Sequence, residues 1–199
     1  MNQIGKQLIV FILWTSFLYI GYQLTNRNQL FEMHLMPKIL GEGNLPFLVW
    51  TVLPYLLLID LMYLPIFIKM DGIFNKALMA LTIAVLINYT FFIFFPTYME
   101  RPTPPLNEGF FNKIYLWLLT IDGPANCFPS GHITSPGIGC WYFAKAYPKT
   151  RFLLMFLFGI LCFSVLTTKQ HYILDILGGV ITGAVGILIV IYFTNRKIS

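Results

Sequence analysis

From residue 8 to residue 24 the chain carries no charge. A helix of that length can cross the roughly 30 Å hydrocarbon core of a bilayer. Five further apolar segments follow, at residues 45–68, 74–95, 133–147, 152–167 and 171–193. Inside a bilayer no water satisfies backbone N–H and C=O groups, so such segments must close their hydrogen bonds internally, as helices. Composition agrees: 57% of the residues are hydrophobic and 11% charged, where soluble domains carry about a quarter charged. The expected fold class is all-α, a polytopic membrane protein built as a bundle of six transmembrane helices. Residues 1–199 read as one domain, since no repeat or low-complexity tract stands out. The formal charge of +5 comes from thirteen scattered basic residues with no basic run, which argues for loops oriented by a membrane and against a nucleic-acid partner.

Residues 133–147 make the weakest span, being short and interrupted by Pro136. The first apolar run follows Lys6 in the manner of a signal peptide, but no small-residue cleavage site comes after it, so an uncleaved span is expected. Residues 25–44 mix apolar side chains with Arg27, Glu32 and Lys38. They suit either an interfacial amphipathic helix near a lipid entrance or a connecting loop. Asp60, costly at membrane depth, is expected to face the bundle interior. Asn88-Tyr89-Thr90 is formally a glycosylation acceptor, but inside a span it should go unused. The polar region 96–132 contains an apolar stretch, 114–121, that can dip into the interface. Gly179 and Gly183 form a small-xxx-small face that lets another helix approach closely. Three cysteines make no disulfide framework: Cys140 and Cys162 read as small hydrophobes, Cys127 as a bystander.

Six spans fix a parity. Connections after an odd number of spans share one face, so the Arg101 and His132 region lies with the Lys169–His171 turn. Were residues 133–147 not to cross, the two histidines would face opposite sides. The basic residues give a second handle. Lys6, Lys69, Lys76, Lys145, Lys149, Arg151, Arg196 and Lys197 fall on one face, against Arg27, Lys38, Arg101, Lys113 and Lys169 on the other. That bias puts both termini in the cytoplasm and the polar clusters on the non-cytoplasmic face.

Three polar clusters stand at the mouths of apolar segments: Arg101-Pro102, then Cys127 to His132, then His171 to Asp175. His171 and Asp175 are four apart and share a helix face. A carboxylate accepting the proton of one ring nitrogen fixes the tautomer and aims the other nitrogen's lone pair outward, making the histidine an oriented base or nucleophile. The bland alternative is a pair that satisfies itself at a helix end. Ser130 is a good N-cap, and a helix start with Gly131 offers free N–H groups and a positive dipole end to an anion. A phosphate there would have His132 within reach as proton donor to a leaving group; otherwise this is an ordinary capped helix with an interfacial histidine. Arg101, stiffened by Pro102 and Pro104-Pro105, suits phosphate oxygens, or else snorkels to set topology. Together the clusters supply an anion cradle, a cationic clamp, an acid and an oriented nucleophile. No metal-binding Cys/His spacing, nucleotide loop or Asp-rich cation motif accompanies them, so neither metal nor cofactor is expected. The reaction they imply is phosphoryl transfer through a phosphohistidine.

At these residues the chain resembles the type 2 phosphatidic acid phosphatase superfamily of integral-membrane lipid phosphatases and phosphotransferases. The family's motifs are Lys-x6-Arg-Pro, Pro-Ser-Gly-His and Ser-Arg-x5-His-x3-Asp. Arg101-Pro102, Pro129-Ser130-Gly131-His132 and Ser164-x6-His171-x3-Asp175 match them in order, within a core of about residues 94–193. The resemblance implies a six-helix core with His171 as nucleophile, Asp175 orienting it and His132 as general acid. It implies Arg101, Ser130 and the Gly131 backbone as phosphate ligands, and a membrane lipid phosphate or diphosphate as substrate. Two motif cations are absent, the lysine position being Phe94 and the arginine position Val165. Lys169 is the candidate to replace one; alternatively the phosphate is a diester with less charge to neutralise. Residues 167–172 look more like the branch of inositol phosphorylceramide synthase-like proteins, in which an alcohol resolves the intermediate in place of water. From another class comes a non-catalytic membrane protein or transporter; the missing cations favour it, and His132, His171 and Asp175 oppose it.

Overall fold

The computed structural model describes residues 3–39, 41–102 and 109–196; Leu40, Pro104, Pro105 and Lys197 lie outside these. The first span is α1 (Gln3–Arg27), in which Gln7 and Phe11 are buried and most of the apolar surface faces outward. Polar bonds along its length tie it to the bundle. Gln3 Nε2 donates to the Lys69 carbonyl (2.7 Å), Gln7 Nε2 to the Ile68 carbonyl (3.0 Å), Trp14 Nε1 to Thr82 Oγ1 (2.9 Å) and the Tyr22 hydroxyl to Asp122 Oδ1 (2.5 Å).

The second span, Val49–Phe67, is irregular. Short 3₁₀ segments at Val49–Thr51 and Ile59–Phe67 flank α2 (Val52–Leu58). Here the structure corrects an expectation: Asp60 is exposed on the outer surface, not turned to the interior. The inward positions of this segment go to Val52, Tyr55, Leu61, Pro65 and Ile66. Asp60 lies off this buried face, and burial of the apolar neighbours decides the rotation.

After α3 (Asp71–Phe94) comes a short helix, α4 (Phe110–Ile121), followed by α5 (Gly131–Ala146), α6 (Arg151–Thr167) and α7 (Ile173–Asn195). At 12 residues α4 is about 18 Å long, too short to cross. It buries Tyr115 and Leu118 against the bundle and exposes Phe110, Leu116 and Trp117, as expected of a stretch that dips into the interface. Small residues set the closest helix contacts. A methyl group on Gly179 would lie 2.6 Å from the Ser130 carbonyl oxygen, and one on Gly186 2.7 Å from that of Ala80. The Gly179/Gly183 face therefore lies against α5, and its continuation against α3. Asn88 is buried in α3 and donates to Thr134 Oγ1 (3.2 Å), out of reach of any glycosylation.

Among the described residues, five helices are long and apolar enough to cross a membrane: Gln3–Arg27, Val49–Phe67, Asp71–Phe94, Pro148–Thr167 and Ile173–Asn195. The fold is all-α and polytopic. α5 is shorter, 16 residues, and about half of it is buried, including Thr134, Ser135, Pro136 and Gly139. A helix enclosed by its neighbours need not be apolar all round, and Pro136 removes only the bond that would close on the His132 carbonyl. Tyr147, just past the end of α5, donates to the Phe67 carbonyl (3.1 Å), beside the Lys69 carbonyl that Gln3 reaches. At the other end Leu48 N donates to the Thr167 carbonyl (3.0 Å). α5 thus runs the depth of the bundle, and among the described residues six helical segments connect its two ends.

The 25–44 region is a loop, not an interfacial helix. Once α1 ends at Arg27, strand β1 (His34–Leu35) pairs in parallel with β2 (Thr97–Tyr98), and a 3₁₀ turn forms at Glu42–Asn44. His34 N donates to the Pro96 carbonyl and Met36 N to that of Tyr98, both at 2.9 Å. Met36 docks with Met99, Cys127 and Tyr172 while Leu30, Phe31 and Leu35 stay exposed. The ladder satisfies this backbone where no helix is present to do so.

Candidate active site

The starts of α5 and α7 meet at one end of the bundle. Ser130 N donates to the Asp175 carbonyl (3.0 Å), and Thr134 Oγ1 to the Gly179 carbonyl (3.1 Å). This contact brings the two histidines together. His171 Nδ1 is 3.3 Å from Asp175 Oδ2, and His132 Nδ1 is 3.1 Å from His171 Nε2. A neutral imidazole has one donor nitrogen and one acceptor. With His171 Nδ1–H donating to the carboxylate, Nε2 holds the lone pair and His132 Nδ1–H donates to it. Tyr172 N donates to the same Asp175 oxygen (2.9 Å), so the carboxylate is fixed from two sides. Both His171 and Asp175 are buried. The Tyr55 hydroxyl lies 3.4 Å from each ring nitrogen of His132, whose ring it meets edge-on.

Ser130 occupies the N-cap position of α5 in extended backbone, yet its side chain makes no capping bond. Its hydroxyl is buried and unpartnered, which differs from the expected cap and leaves a polar group without a protein partner. Arg101 Nη1 donates to the Asp122 carbonyl oxygen (2.5 Å) and Nη2 to Asp122 Oδ2 (3.3 Å), while Nε is buried without a partner. Lys169 has left-handed backbone (φ 54°), and its ammonium donates to the Leu45 carbonyl (2.7 Å). Burial lowers its pKa, with Glu42 opposing. Glu42 is itself buried; one carboxylate oxygen accepts from Ile173 N at the start of α7 and the other from Ile39 N (2.8 Å).

A cavity of about 330 Å³ opens beside His132, between α1, α2, α3, α4 and α5. Gly131, His132, Ser135, Asn88, Tyr22 and Asp122 supply its polar lining, and Leu18, Ile59, Val85 and Phe92 belong to its apolar walls. Lys169 does not line it. A family model described as the PAP2 superfamily matches residues 75–199, more than half of the chain. The chain belongs to the PAP2 superfamily. No curated protein and no solved structure matches it. PAP2 members are generally phosphatases or related phosphotransferases, which is the class of chemistry to which this chain is assigned.

The PAP2 match begins within α3, so every motif residue lies inside it while α1, α2 and the 25–44 loop lie outside. The structure brings His132, His171, Asp175, Ser130 and Gly131 to one place. It adds Asp122 on Arg101, Tyr55 on His132 and Glu42 on α7, none of which the sequence reading selected. Asp122 had a visible signal, a lone carboxylate where the apolar run of α4 breaks before Gly123-Pro124. Glu42 had none, because its partner is 131 residues away. Cys127 lies beside the His171–Asp175 pair: its sulfur and ligand atoms of His171 and Asp175 lie within 4.8 Å of one another. Burial pushes its thiol pKa well up, so it stays protonated, and it donates to the Pro124 carbonyl (3.1 Å).

Proposed function

We propose that the protein is a membrane enzyme that cleaves or transfers a phosphoryl group of a lipid through a phosphohistidine on His171. The observation carrying this reading is the chain Asp175–His171–His132, with a carboxylate on one nitrogen of His171 and the second imidazole on the other. Asp175 holds the tautomer that leaves Nε2 as nucleophile. A phosphorus atom about 3–3.5 Å from Nε2 takes the place that His132 Nδ1 holds in the structure. Binding therefore replaces the His132–His171 hydrogen bond, and His132, as imidazolium, turns to protonate the leaving oxygen. The unpartnered Ser130 hydroxyl, the N–H groups opening α5 and the free Nε of Arg101 supply donors to the phosphoryl oxygens. A hydroxyl, of water or of an alcohol, then attacks phosphorus as His132 takes its proton, and His171 is released. The apolar wall of the cavity suits the lipid's hydrocarbon chain. The excess of basic residues at the opposite end supports a site on the non-cytoplasmic face.

Phosphate or lipid-product release by detergent-solubilised protein, with chelator present, tests this. His171→Ala should lower turnover by about 10⁴-fold or more. Activity retained by that variant would remove the nucleophile from the scheme.

A further inference from the structure

Away from the histidines, α5 and α6 part to leave a groove holding a cavity of about 650 Å³. It shares no lining residue with the cavity beside His132. Gly137, Cys140 and Ala144 line it from α5, and Leu154 and Phe158 from α6. Cys140 and Leu154 are buried and form its floor, while Trp141 beside them is 53% exposed. Gly137 keeps the groove open, because a methyl group there would stand 3.3 Å from the Phe158 ring. From Gly137 to Lys145 the groove follows α5 for about 12 Å, at the helical rise per residue. That is close to half of a roughly 30 Å hydrocarbon core, the depth of one leaflet.

Lys145 and Arg151 line the same groove, where α5 ends and α6 begins. No acidic residue lies between Asp122 and Asp175 in the chain, and none lines the groove. The ion pairs among the described residues are Lys38–Glu100, Arg101–Asp122 and His171–Asp175, so both cations here are unmatched. The Arg151 guanidinium lies over the Phe152 ring, 4.7 Å from its centre, which steadies the side chain without neutralising it. Lys149, in the 3₁₀ turn joining the helices, adds to the positive field. An apolar slot of one-leaflet depth with two unmatched cations at its mouth is complementary to an anionic amphiphile. A soluble anion would leave the apolar walls unfilled, and a lipid without net charge would leave the cations unmatched. We propose that this groove binds an anionic phospholipid, with one acyl chain along the apolar slot and the phosphate between Lys145 and Arg151. The site lies at the end of α5 opposite His132 and does not depend on the chemistry of the histidines.

Trp141, on the groove, reports its occupancy. The detergent-solubilised full chain is titrated with phosphatidylglycerol or phosphatidylcholine carrying brominated acyl chains, which quench a tryptophan in contact with them. The Trp141 share of the quenching is the difference between wild type and Trp141→Phe. Phosphatidylglycerol should half-quench it at about a tenfold lower mole fraction, since each basic residue near an anionic lipid favours it severalfold. Lys145→Gln combined with Arg151→Gln should abolish that preference. Lys6→Gln combined with Lys76→Gln removes as much charge from the same end of the bundle, outside the groove, and should leave the preference in place. Ala144→Phe fills the slot with both cations kept and should raise the half-quenching fraction of both lipids. Equal quenching by the two lipids, or quenching by neither because protein covers the groove, overturns the proposal. So does a preference lost equally in the Lys6 and Lys76 pair, which would be a diffuse field, or half-quenching unchanged by Ala144→Phe. Should the Lys145 and Arg151 pair fail to melt cooperatively, the single variants are read instead, and an unchanged preference in both overturns it.

Discussion

α5 and α7 begin side by side, and they begin differently. The first amide of α7, at Ile173, is taken by the Glu42 carboxylate, and the N-cap amide of Tyr172 by Asp175. The start of α5 has no side-chain cap, and the hydroxyl nearest to it is buried without a partner. Both starts present the positive end of a helix dipole. One is saturated by the protein's own carboxylates, which immobilises the segment bearing His171. The other is left able to receive an anion. On the proposed mechanism, holding the nucleophile and admitting the substrate are divided between two helix termini in contact.

Four substitutions sharpen or break that contrast. Asp175→Asn should have the largest effect, about 10²–10⁴-fold in kcat and less than loss of His171, because it disturbs the tautomer without deleting the nucleophile. A loss as large as that of His171→Ala would mean that Asp175 does more than orient. Ser130→Ala should lower kcat/KM by about 10²-fold, the cost of one preorganised donor, with little change in melting temperature, since the hydroxyl has no partner to lose. A large fall in stability with activity kept would make the hydroxyl structural. Glu42→Gln keeps an acceptor for Ile173 N but removes its charge, and charge-assisted bonds are about twice as strong as neutral ones. About 1 kcal/mol, or a fivefold fall in kcat at constant KM, is expected, seen in the kinetics and in a lowered melting temperature. Lys169→Ala should have the smallest effect. Its ammonium serves the Leu45 carbonyl, so an unchanged KM is expected and a severalfold rise would return it to the phosphate site.

The spans were legible in the sequence because a hydrocarbon environment leaves the backbone one solution, and the histidines because they stand at the mouths of apolar segments. The tight α5–α7 approach could also be read, from Gly179 and Gly183. What could not be read depends on partners distant in the chain. α5 resembles a poor span because its surroundings are protein, not lipid. Asp60 turns outward because apolar neighbours claim the interior. The 25–44 loop is shaped by a ladder to residues 96–98, and its Glu42 by an amide 131 residues on. The Asp122–Arg101 pair likewise joins the end of α4 to a segment before it.

The two-residue sheet of β1 and β2 has a consequence out of proportion to its size. Beyond β2 the chain stays extended, with Met99 buried, Glu100 pointing out toward Lys38, and Arg101 turned in toward Asp122. Alternation along an extended chain means that a shift by one position exchanges inside for outside. Had His34 settled opposite Pro96, Glu100 would stand where the guanidinium does, carboxylate facing carboxylate. Two ladder bonds therefore act as a ruler that decides the sign of the charge offered to whatever enters.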